Sequence, residues 1–293
     1  MANRRVLVKR RKSIGNIRKI TRTMQLIATA RFQAAFSRAV ASRPYTEKLS
    51  EMVGDLARGA EGIDHPLLKT QNPGAPAALL VLTSSRGLCG GYNANILRVA
   101  HSQLEEWKQA EQAHELRVFG KKGISYFRFR KQTMAQQSTA IGDTPRYEQV
   151  EPIANALIDA FLAGEISSVH VDYMRFYSAG RQRPEIVQLL PLVHAEPEAT
   201  SEEPPERAIE FEIRPEPAEL LSALLPATVR IRLFQAFLDA NVSEQVARMV
   251  AMKAATEASG DMIKRLTRQY NRARQTHITM ELLDIVGGAN ALA

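Results

Sequence analysis

A glycine-rich turn is the segment whose residue types and position come nearest to a chemical site. It covers residues 83–93 and contains Arg86, Gly87, Gly90 and Gly91. Phosphate-binding loops occupy the same position, between a strand and the helix that follows it. The turn lacks the G-x-G-x-x-G spacing and the lysine of G-x-x-x-x-G-K-[ST]. We therefore expect its glycines to allow a tight turn and close helix–strand packing, with nucleotide binding as the alternative.

Nucleophiles and metal ligands are present but not grouped. The single cysteine, Cys89, lies in this turn, yet a catalytic thiol needs a nearby base and no histidine motif accompanies it. The histidines show no metal-ligand spacing. They are His65, His101, His114, His170, His194 and His277. The carboxylates show no paired arrangement, and we expect them on solvated faces. The sequence thus predicts no catalytic residue, no metal and no cofactor, and one cysteine excludes an internal disulfide.

The positive charge of the chain is confined to its first segment. Twelve Lys and Arg residues precede Glu47 and no acidic residue does, so 27 of the 39 bases remain against all 31 acids. The twelve are Arg4, Arg5, Lys9, Arg10, Arg11, Lys12, Arg18, Lys19, Arg22, Arg31, Arg38 and Arg43. Such a segment is typical of a transit peptide, of a nucleic-acid-binding arm, or of a helix enclosed by acidic protein. No aromatic platform or helix-turn-helix supports the nucleic-acid interpretation.

The first of two predicted long helices covers residues 12 to about 58. Pro44 is its only proline, and Ser13 is a plausible N-cap. Apolar or small residues recur in steps compatible with alternating three and four, which predicts a coiled-coil contact line. That predicted line is Ile17, Ile20, Met24, Ile27, Ala34, Ala41, Tyr45 and Met52.

The second predicted helix is longer. After Pro226 there is no further proline, and Gly260 is the only glycine before Gly287. About 65 helical residues would extend for roughly 100 Å. A four-three repeat predicts a left-handed coiled coil here as well. Its predicted contact line is Leu238, Val242, Gln245, Met249, Met252, Thr256, Ser259, Ile263, Leu266, Tyr270, Ala273, His277 and Met280.

Between the helices, short β runs alternate with helical segments, which predicts a small, mostly parallel α/β layer structure. The predicted strands are 78–83, 116–119, one within 133–139, 168–177 and 185–192, and the predicted helices are 93–113, 123–129 and 147–162. A connector rich in Glu and Pro follows, in which residues 211–213 are a candidate edge strand. The expected domains are an N-terminal helix (1–60), an α/β domain (76–193), the connector (194–217) and a C-terminal helix (218–293).

Three blocks of the chain resemble, in order, the gamma subunit of F-type ATP synthases. Residues 13–31 include Lys-Ile-Thr-Arg-Thr-Met, similar to the "KIT.AM..VAA.K" helix of that family. Residues 82–93 resemble its "TSDRGLCGG.N" turn. The third and most specific block is 243–256 with 270–282, and Ile-Val-Gly-Gly-Ala closes the chain at 285–289. The resemblance therefore covers nearly the whole length.

This resemblance implies an α/β protein in which a long antiparallel coiled coil of the terminal helices accompanies a small Rossmann-like domain. It implies a rotor shaft without catalytic residues, which couples ion-driven rotation to conformational change at catalytic sites elsewhere. The implied partners are three alpha and three beta subunits, the epsilon subunit and the membrane c-ring, with one copy of this chain per complex and no nucleic acid. The implied location is the cytoplasmic face of a bacterial inner membrane.

The resemblance also implies six rotor–collar contact residues. They are Met24, Glu244, Arg248, Arg274, Gln275 and Thr279. The first three resemble a coupling contact beside the lever of the beta subunit. The last three resemble residues that hydrogen-bond a loop of beta, for which Arg274 offers a bidentate fork. An alternative for Glu244 and Arg248 is an i, i+4 helix pair worth about 0.2–0.5 kcal/mol.

Overall fold

The computed structural model describes residues 4–59, 65–70, 72–192 and 217–292. Within these ranges the chain forms two compact units. We call residues 4–30 with 248–292 the helix pair, and the described part of 31–247 the sheet body. The predicted connector, apart from Pro217, and its candidate strand at 211–213 lie outside the described residues.

The helices and strands of the described residues follow the predicted order. They are α1 (Arg4–Gly59), β1 (Ala77–Leu82), α2 (Tyr92–Gln109), β2 (His114–Phe119), α3 (Lys121–Phe129), β3 (Gln136–Ser138), α4 (Tyr147–Leu162), β4 (Ser168–Ser178), β5 (Arg181–Leu190) and α5 (Pro217–Leu292). The prediction for α4 is confirmed at both ends. Ser13 is not an N-cap, because the Arg- and Lys-rich residues before it favour helix and α1 already includes Arg4.

The five-stranded sheet has the order β3-β2-β1-β4-β5. Neighbouring strands are parallel except β5, which is antiparallel to β4. Every residue of β1 is buried, so this central strand has protein on both faces. Alternate residues of β1 enter two separate apolar clusters, as the period of two in a strand requires. The mostly parallel α/β layer structure is therefore confirmed.

Helices cover both faces of this sheet. The first cluster joins the sheet to α4 and to the first turns of α5, where the inward residues are spaced by three or four as on one helix face. These α5 residues are Leu221, Leu225, Val229, Leu233, Ala236, Phe237 and Ala240. The second cluster joins the opposite face to α2 and α3. Both layers place the carboxyl ends of β1 and β2 beside the glycine-rich turn.

The helix pair is antiparallel. Thr256 Oγ1 lies 2.8 Å from Thr21 Oγ1. Farther along, Gly260 lies beside the Arg18 guanidinium, and the Arg11 guanidinium lies 5.4 Å from the ring centroid of Tyr270. Numbers fall along α1 as they rise along α5, which confirms the antiparallel arrangement.

The two helices differ in how well their contact lines were predicted. On α5, Met252, Thr256 and Leu266 are buried as expected, Tyr270 and Ala273 are half-buried, and only His277 and Met280 at the end of the line are exposed. The prediction for the α5 contact line in the helix pair is therefore confirmed from Met252 to Ala273.

The predicted contact line of α1 is wrong except at Met24, which is half-buried. Ile17, Ile20 and Ile27 are 46%, 59% and 49% exposed, whereas Thr21 and Ala28 are buried. In the sheet body the same shift occurs: Tyr45 and Met52 are exposed, like Ala34 and Ala41, while Ala35 and Ala39 are buried. Small side chains let two helix backbones approach closely, so they occupy the line of contact and larger apolar side chains lie outside it.

Helix α5 also meets a composition test for membrane spans. Its residues Leu220–Asn290 contain an 18-residue window with a mean hydropathy of 1.3, of which 44% is buried within the protein. Core helices of soluble proteins meet the same test, so this window is weak support for a membrane segment.

Candidate functional site

The glycine-rich turn is held by a small polar network. The Ser84 backbone N–H donates to Asn93 Oδ1 at 3.0 Å, and Asn93 Nδ2 donates to Ser84 Oγ at 2.8 Å. Ser84 Oγ also donates to the Arg86 carbonyl at 2.6 Å, and Asn93 Nδ2 lies 3.3 Å from Cys89 Sγ. These bonds join the end of β1 to the first turn of α2. Cys89 is buried and packs in this network, which agrees with a structural thiol.

Fewer glycines of this turn than expected are required by backbone conformation or by close packing. Gly90 has φ +57°, which favours glycine, but Leu88 adopts φ +64° in the same turn. A Cβ on Gly87 or Gly91 would meet only ordinary contacts. The expected tight turn is present at Gly90. Close packing at Gly87 and Gly91 is not observed, because their neighbours are the flexible side chains of Lys122 and Asn95.

Two glycines after β2 are the ones that close packing requires. Gly120 has φ +99°, and a Cβ there would lie 2.0 Å from the Thr83 carbonyl oxygen. A Cβ on Gly123 would lie 2.7 Å from Thr83 Oγ1 and 2.8 Å from Val118 Cγ1. Thr83 Oγ1 donates to the Phe119 carbonyl and accepts from the Gly123 N–H. The sequence prediction missed both glycines, because the close approach depends on β1 and β2 pairing.

A cavity of about 50 Å³ opens at the carboxyl ends of β1, β2 and β3. Its polar wall includes Ser138, Asp143, Asn241 and Glu244, and its apolar wall includes Phe237. Pockets that hold small molecules are typically about 300–1,000 Å³. The space is too small for a nucleotide, so the structure gives the nucleotide alternative no support.

Two arginines converge on one carboxylate beside this cavity. Asp143 Oδ2 pairs with Arg31 Nη1 of α1 and lies 3.2 Å from Arg86 Nη2 of the glycine-rich turn. The side chain of Asp143 is 25% exposed, against 41% for Arg31 and 61% for Arg86. Asp143 lies in the loop between β3 and α4, so one oxygen joins three separate segments of the sheet body.

A second carboxylate, Asp172 on β4, is fully buried among apolar residues. It lies in register with Val81 and Ile186, and neither of its oxygens has a hydrogen-bond partner among the described residues. Burial raises the pKa of Asp172 to about 8. The nearby Ala100 backbone N–H favours the ionised form and lowers the pKa by a smaller amount. The expectation that carboxylates lie on solvated faces is wrong here, because both faces of the sheet are covered.

Asp239 on α5 is also buried, but it has partners. Gln235 Nε2 donates to it at 3.0 Å, and Arg43 Nη2 lies 3.8 Å away. Burial raises the pKa of Asp239, and the charge of Arg43 opposes that shift. Arg43 also donates to the Phe176 carbonyl at 3.1 Å. Arg43 therefore joins α1 to both α5 and β4 inside the sheet body.

Within the described ranges, no group of three or more His, Cys, Asp or Glu side chains could hold a metal ion. His114 and His170 both lie near the ring of Trp107, with centroids 6.1 and 5.3 Å away. Burial lowers the pKa of His170, so this imidazole is favoured in its neutral form.

Three of the six predicted contact residues lie on the exposed end of α5. Arg274, Gln275 and Thr279 are all exposed, and Thr279 Oγ1 donates to the Gln275 carbonyl at 3.0 Å. That bond satisfies the hydroxyl within the helix, while the Arg274 guanidinium faces solvent. All three side chains are thus accessible to another protein.

The other three predicted contact residues are less accessible and do not lie in one unit. Met24 and Arg248 belong to the helix pair, where Met24 is half-buried and Arg248 is only 6% exposed. Glu244 belongs to the sheet body, is half-buried and lines the small cavity. Little of the Arg248 side chain is therefore left for another protein.

Exposed apolar residues on both helices were missed as candidate contacts. On α1 they include Ile17, Ile20, Leu26 and Ile27. Near the end of α5 the set is Ile278, Met280, Leu282, Leu283, Ile285 and Val286, all between 42% and 68% exposed. Large exposed apolar side chains at neighbouring positions of a helix indicate a surface that another protein can cover. The available signal was a seven-residue repeat of small residues, at Thr21, Ala28 and Ala35, which identifies the inner line and leaves the isoleucines outside.

Comparison with known proteins agrees with this arrangement. Residues 3–292 match the model of the ATP synthase family. The ATP synthase gamma chain of Rhodopirellula baltica is 44% identical over 294 residues, covering 100% of this chain and 99% of that protein.

Two solved structures share the fold. A chain from the rotor of the Euglena gracilis mitochondrial ATP synthase has a TM-score of 0.61 at 16% identity, with 94% of this chain and 98% of that chain covered. A chain in an OSCP/F1/c-ring structure of the same enzyme has a TM-score of 0.65 at 17% identity, covering 99% and 94%. Since the family match and the R. baltica relative both span essentially the full length, this chain belongs to the ATP synthase gamma chain family.

Proposed function

We propose that the chain is the central rotor shaft of an F-type ATP synthase, coupling ion-driven rotation of the membrane ring to conformational change at the catalytic sites of an alpha/beta collar. The full-length family match carries this proposal. The geometry supports it, because an antiparallel helix pair leaves large apolar side chains of both helices exposed for partners. The chain itself is a non-catalytic subunit.

The proposed partners are three alpha and three beta subunits around the helix pair, with the epsilon subunit and the c-ring bound to the sheet body. The two Euglena structures are described as a rotor and as an OSCP/F1/c-ring assembly. The R. baltica relative is bacterial. We therefore place the complex on the cytoplasmic face of a bacterial inner membrane, with one copy of this chain in each.

The basic residues of α1 and the apolar residues at the end of α5 suit different contacts of such a shaft. Residues 4–30 carry nine Lys and Arg and no acid, which suits a collar lined with acidic groups. Apolar residues at the end of α5 supply contact without directional bonds. A turning shaft must touch the three beta subunits differently, since equal contact with each would favour no particular conformation.

The directional contacts are proposed for Arg274, Gln275 and Thr279, which are exposed on α5. Arg274 offers two parallel N–H donors to a carbonyl or carboxylate of a beta loop. Met24 and Glu244, each half-buried, keep a part of their surface for the beta lever, and Arg248 contributes only through its small exposed fraction.

Assembly with a catalytic collar tests the proposed function. The purified chain is mixed with alpha and beta subunits, and ATP hydrolysis and rotation of a probe on the sheet body are measured. We expect no turnover by the chain alone and unidirectional rotation in the complex. Failure to enter the collar, or turnover by the isolated chain, contradicts the proposal.

Arg274→Ala tests the directional contact. Loss of a charge-assisted hydrogen bond costs about 1.5–3 kcal/mol, so ATP-driven ion pumping by the reconstituted complex should fall about tenfold or more. Helix content of the isolated chain should not change, because Arg274 is exposed. Arg268→Ala, also exposed on α5, is the matched control and should pump normally. Unchanged pumping by Arg274→Ala rules out this contact.

A further inference from the structure

Within the sheet body, helix α1 is attached by apolar packing and by directional polar contacts. The apolar part includes Ala35 and Ala39 against Phe176, Leu238 and Val242, the rings of Phe32 and Phe36 beside that of Phe176, and Val53 in the first apolar cluster. Apolar packing has no preferred bond direction. Contacts that do have a preferred direction therefore add a specific resistance to turning of the helix about its axis.

Two arginines of α1 supply directional contacts, and they lie far apart on the helix. Arg43 donates to the Phe176 carbonyl and approaches Asp239, whereas Arg31 pairs with Asp143. Twelve residues separate them, which is about 18 Å along the axis and about 120° around it. Two directional contacts at different heights and on different sides of the helix oppose its rotation in either sense. A single directional contact would oppose rotation less.

Asp143 is the centre of the second attachment. Its Oδ2 serves Arg31 and Arg86 together, so the carboxylate links α1 to the turn after β1. The charges are two positive and one negative. Without the carboxylate, the two guanidiniums would repel each other across the gap that it now occupies, and both would be drawn to solvent.

We propose that Asp143 is a positioning residue for torque transmission: through Arg31 and Arg86 it fixes the rotational setting of α1 on the sheet body. This proposal rests on the proposed shaft function. If α1 can twist against the rest of the sheet body, part of the torque of each rotational step deforms this attachment and is not transmitted. The angular fluctuation of the sheet body relative to the collar therefore measures the stiffness of the attachment.

The first test needs only the full chain. Spin labels at Arg38→Cys on α1 and Ala156→Cys on α4 report their distance distribution; both positions are exposed, and the native Cys89 is buried. Asp143→Asn should broaden the distribution, because Arg31 and Arg86 then lose the carboxylate that they share. Asp143→Glu should restore it, and Asp159→Asn, an exposed acid on α4, should have no effect.

A double-mutant test separates positioning from general loosening. If Asp143 acts through Arg31, Arg31→Gln should broaden the distribution as Asp143→Asn does, and the two changes together should add nothing. Additive broadening, or no broadening in Asp143→Asn, overturns the proposed attachment. Neither result depends on whether the chain is a rotor.

The second test uses the assembled complex. With the collar immobilised, a probe on the sheet body should show larger angular fluctuations in Asp143→Asn than in the parent complex, while the Asp159→Asn complex matches the parent. Broadened spin-label distances with unchanged angular fluctuations overturn the role in torque transmission. A chain that does not enter the collar contradicts the shaft function instead, and the spin-label result still decides the attachment.

Discussion

The sheet body and the helix pair use apolar residues in opposite ways. In the body, all six residues of β1 are at most 2% exposed, and their side chains enter clusters on both faces of the sheet. In the helix pair, the buried positions include Thr21, Ala28 and Thr256, while Ile20 and Leu283 are 59% and 64% exposed. The body is stabilised by its own core. The helix pair keeps a large part of its apolar surface for other chains.

This difference identifies where each region tolerates change. A covered sheet face has no spare volume, so an added atom or charge there must displace its neighbours. The outer face of the helix pair meets solvent in the isolated chain, so substitutions there change partner binding more than folding. The following substitutions test this division, beginning with the largest expected effect.

Gly120→Ala should unfold the sheet body. The added Cβ would lie 2.0 Å from the Thr83 carbonyl oxygen and 2.7 Å from its carbonyl carbon, on a residue with φ +99°. Both partners are backbone atoms, so no side chain can move aside. We expect a loss of at least about 4 kcal/mol in the free energy of unfolding, measured by denaturant titration. Gly180→Ala, with nothing within 4 Å, is the control and should be nearly neutral. A stable Gly120→Ala chain would show that the body has room to adjust.

Most of the body could be predicted from sequence, and its exceptions share one physical cause. Alternating strand and helix patterns gave the parallel sheet, and α4 was predicted at both ends. Gly120 and Gly123 gave no signal, because the atoms that they approach belong to Thr83 and to a neighbouring strand. Asp172 looked like a solvated residue of β4, because sequence alone does not show that α2 covers that face. Features set by long-range pairing are those that the local pattern missed.

Asp172→Asn should stabilise the body at neutral and alkaline pH. The native pKa is about 8 and the ordinary value is 3.8, so the protonated acid fits the fold and the ionised one does not. Its favourable contribution is complete below about pH 4 and is lost as pH rises toward 8, because the unfolded chain ionises first. At pH 7 the gain for Asn is roughly 2–4 kcal/mol, by the shift from an unfolded pKa of about 3.9.

Trp107 is the only tryptophan of the chain, and its fluorescence can report this unfolding. Its ring centroid lies 5.3 Å from that of His170, which is on β4 two residues before Asp172. The stability advantage of Asp172→Asn over the parent chain should be larger at pH 8 than at pH 5 and should disappear near pH 4. The opposing effect of the half-buried His170 is common to both chains and cancels in this difference. Asp159→Asn, an exposed acid on α4, should leave the pH dependence unchanged. An equal stability difference between Asp172→Asn and the parent chain at pH 5 and pH 8 would show that the buried carboxylate has found a partner.

The helix pair was harder to predict on one side than on the other. Along α5 the predicted contact line includes Met252, Thr256 and Leu266, which are all buried, so the apolar repeat and the buried repeat coincide. Along α1 they do not coincide. The strongest apolar residues are exposed isoleucines, and a hydrophobic repeat counts them first although Thr21 and Ala28 form the contact. Hydrophobicity shows which residues avoid water. In a protein that binds partners, these residues include surface residues that become buried only when the complex assembles.

Ala28→Leu and Ile27→Ala, at neighbouring positions, separate these two faces with the smallest expected change in stability. Ala28 is 1% exposed, so a leucine there should force the helices apart at a cost of about 1–3 kcal/mol. Ile27 is 49% exposed, so its truncation should cost less than about 1 kcal/mol in the isolated chain. Hydrogen exchange of residues 4–30 should therefore accelerate in Ala28→Leu and hardly change in Ile27→Ala. Binding to the collar should show the reverse order, because the Ile27 side chain faces outward. If Ile27→Ala loosens the pair more than Ala28→Leu does, the isoleucines form the inner line after all, and the contrast between the two regions fails.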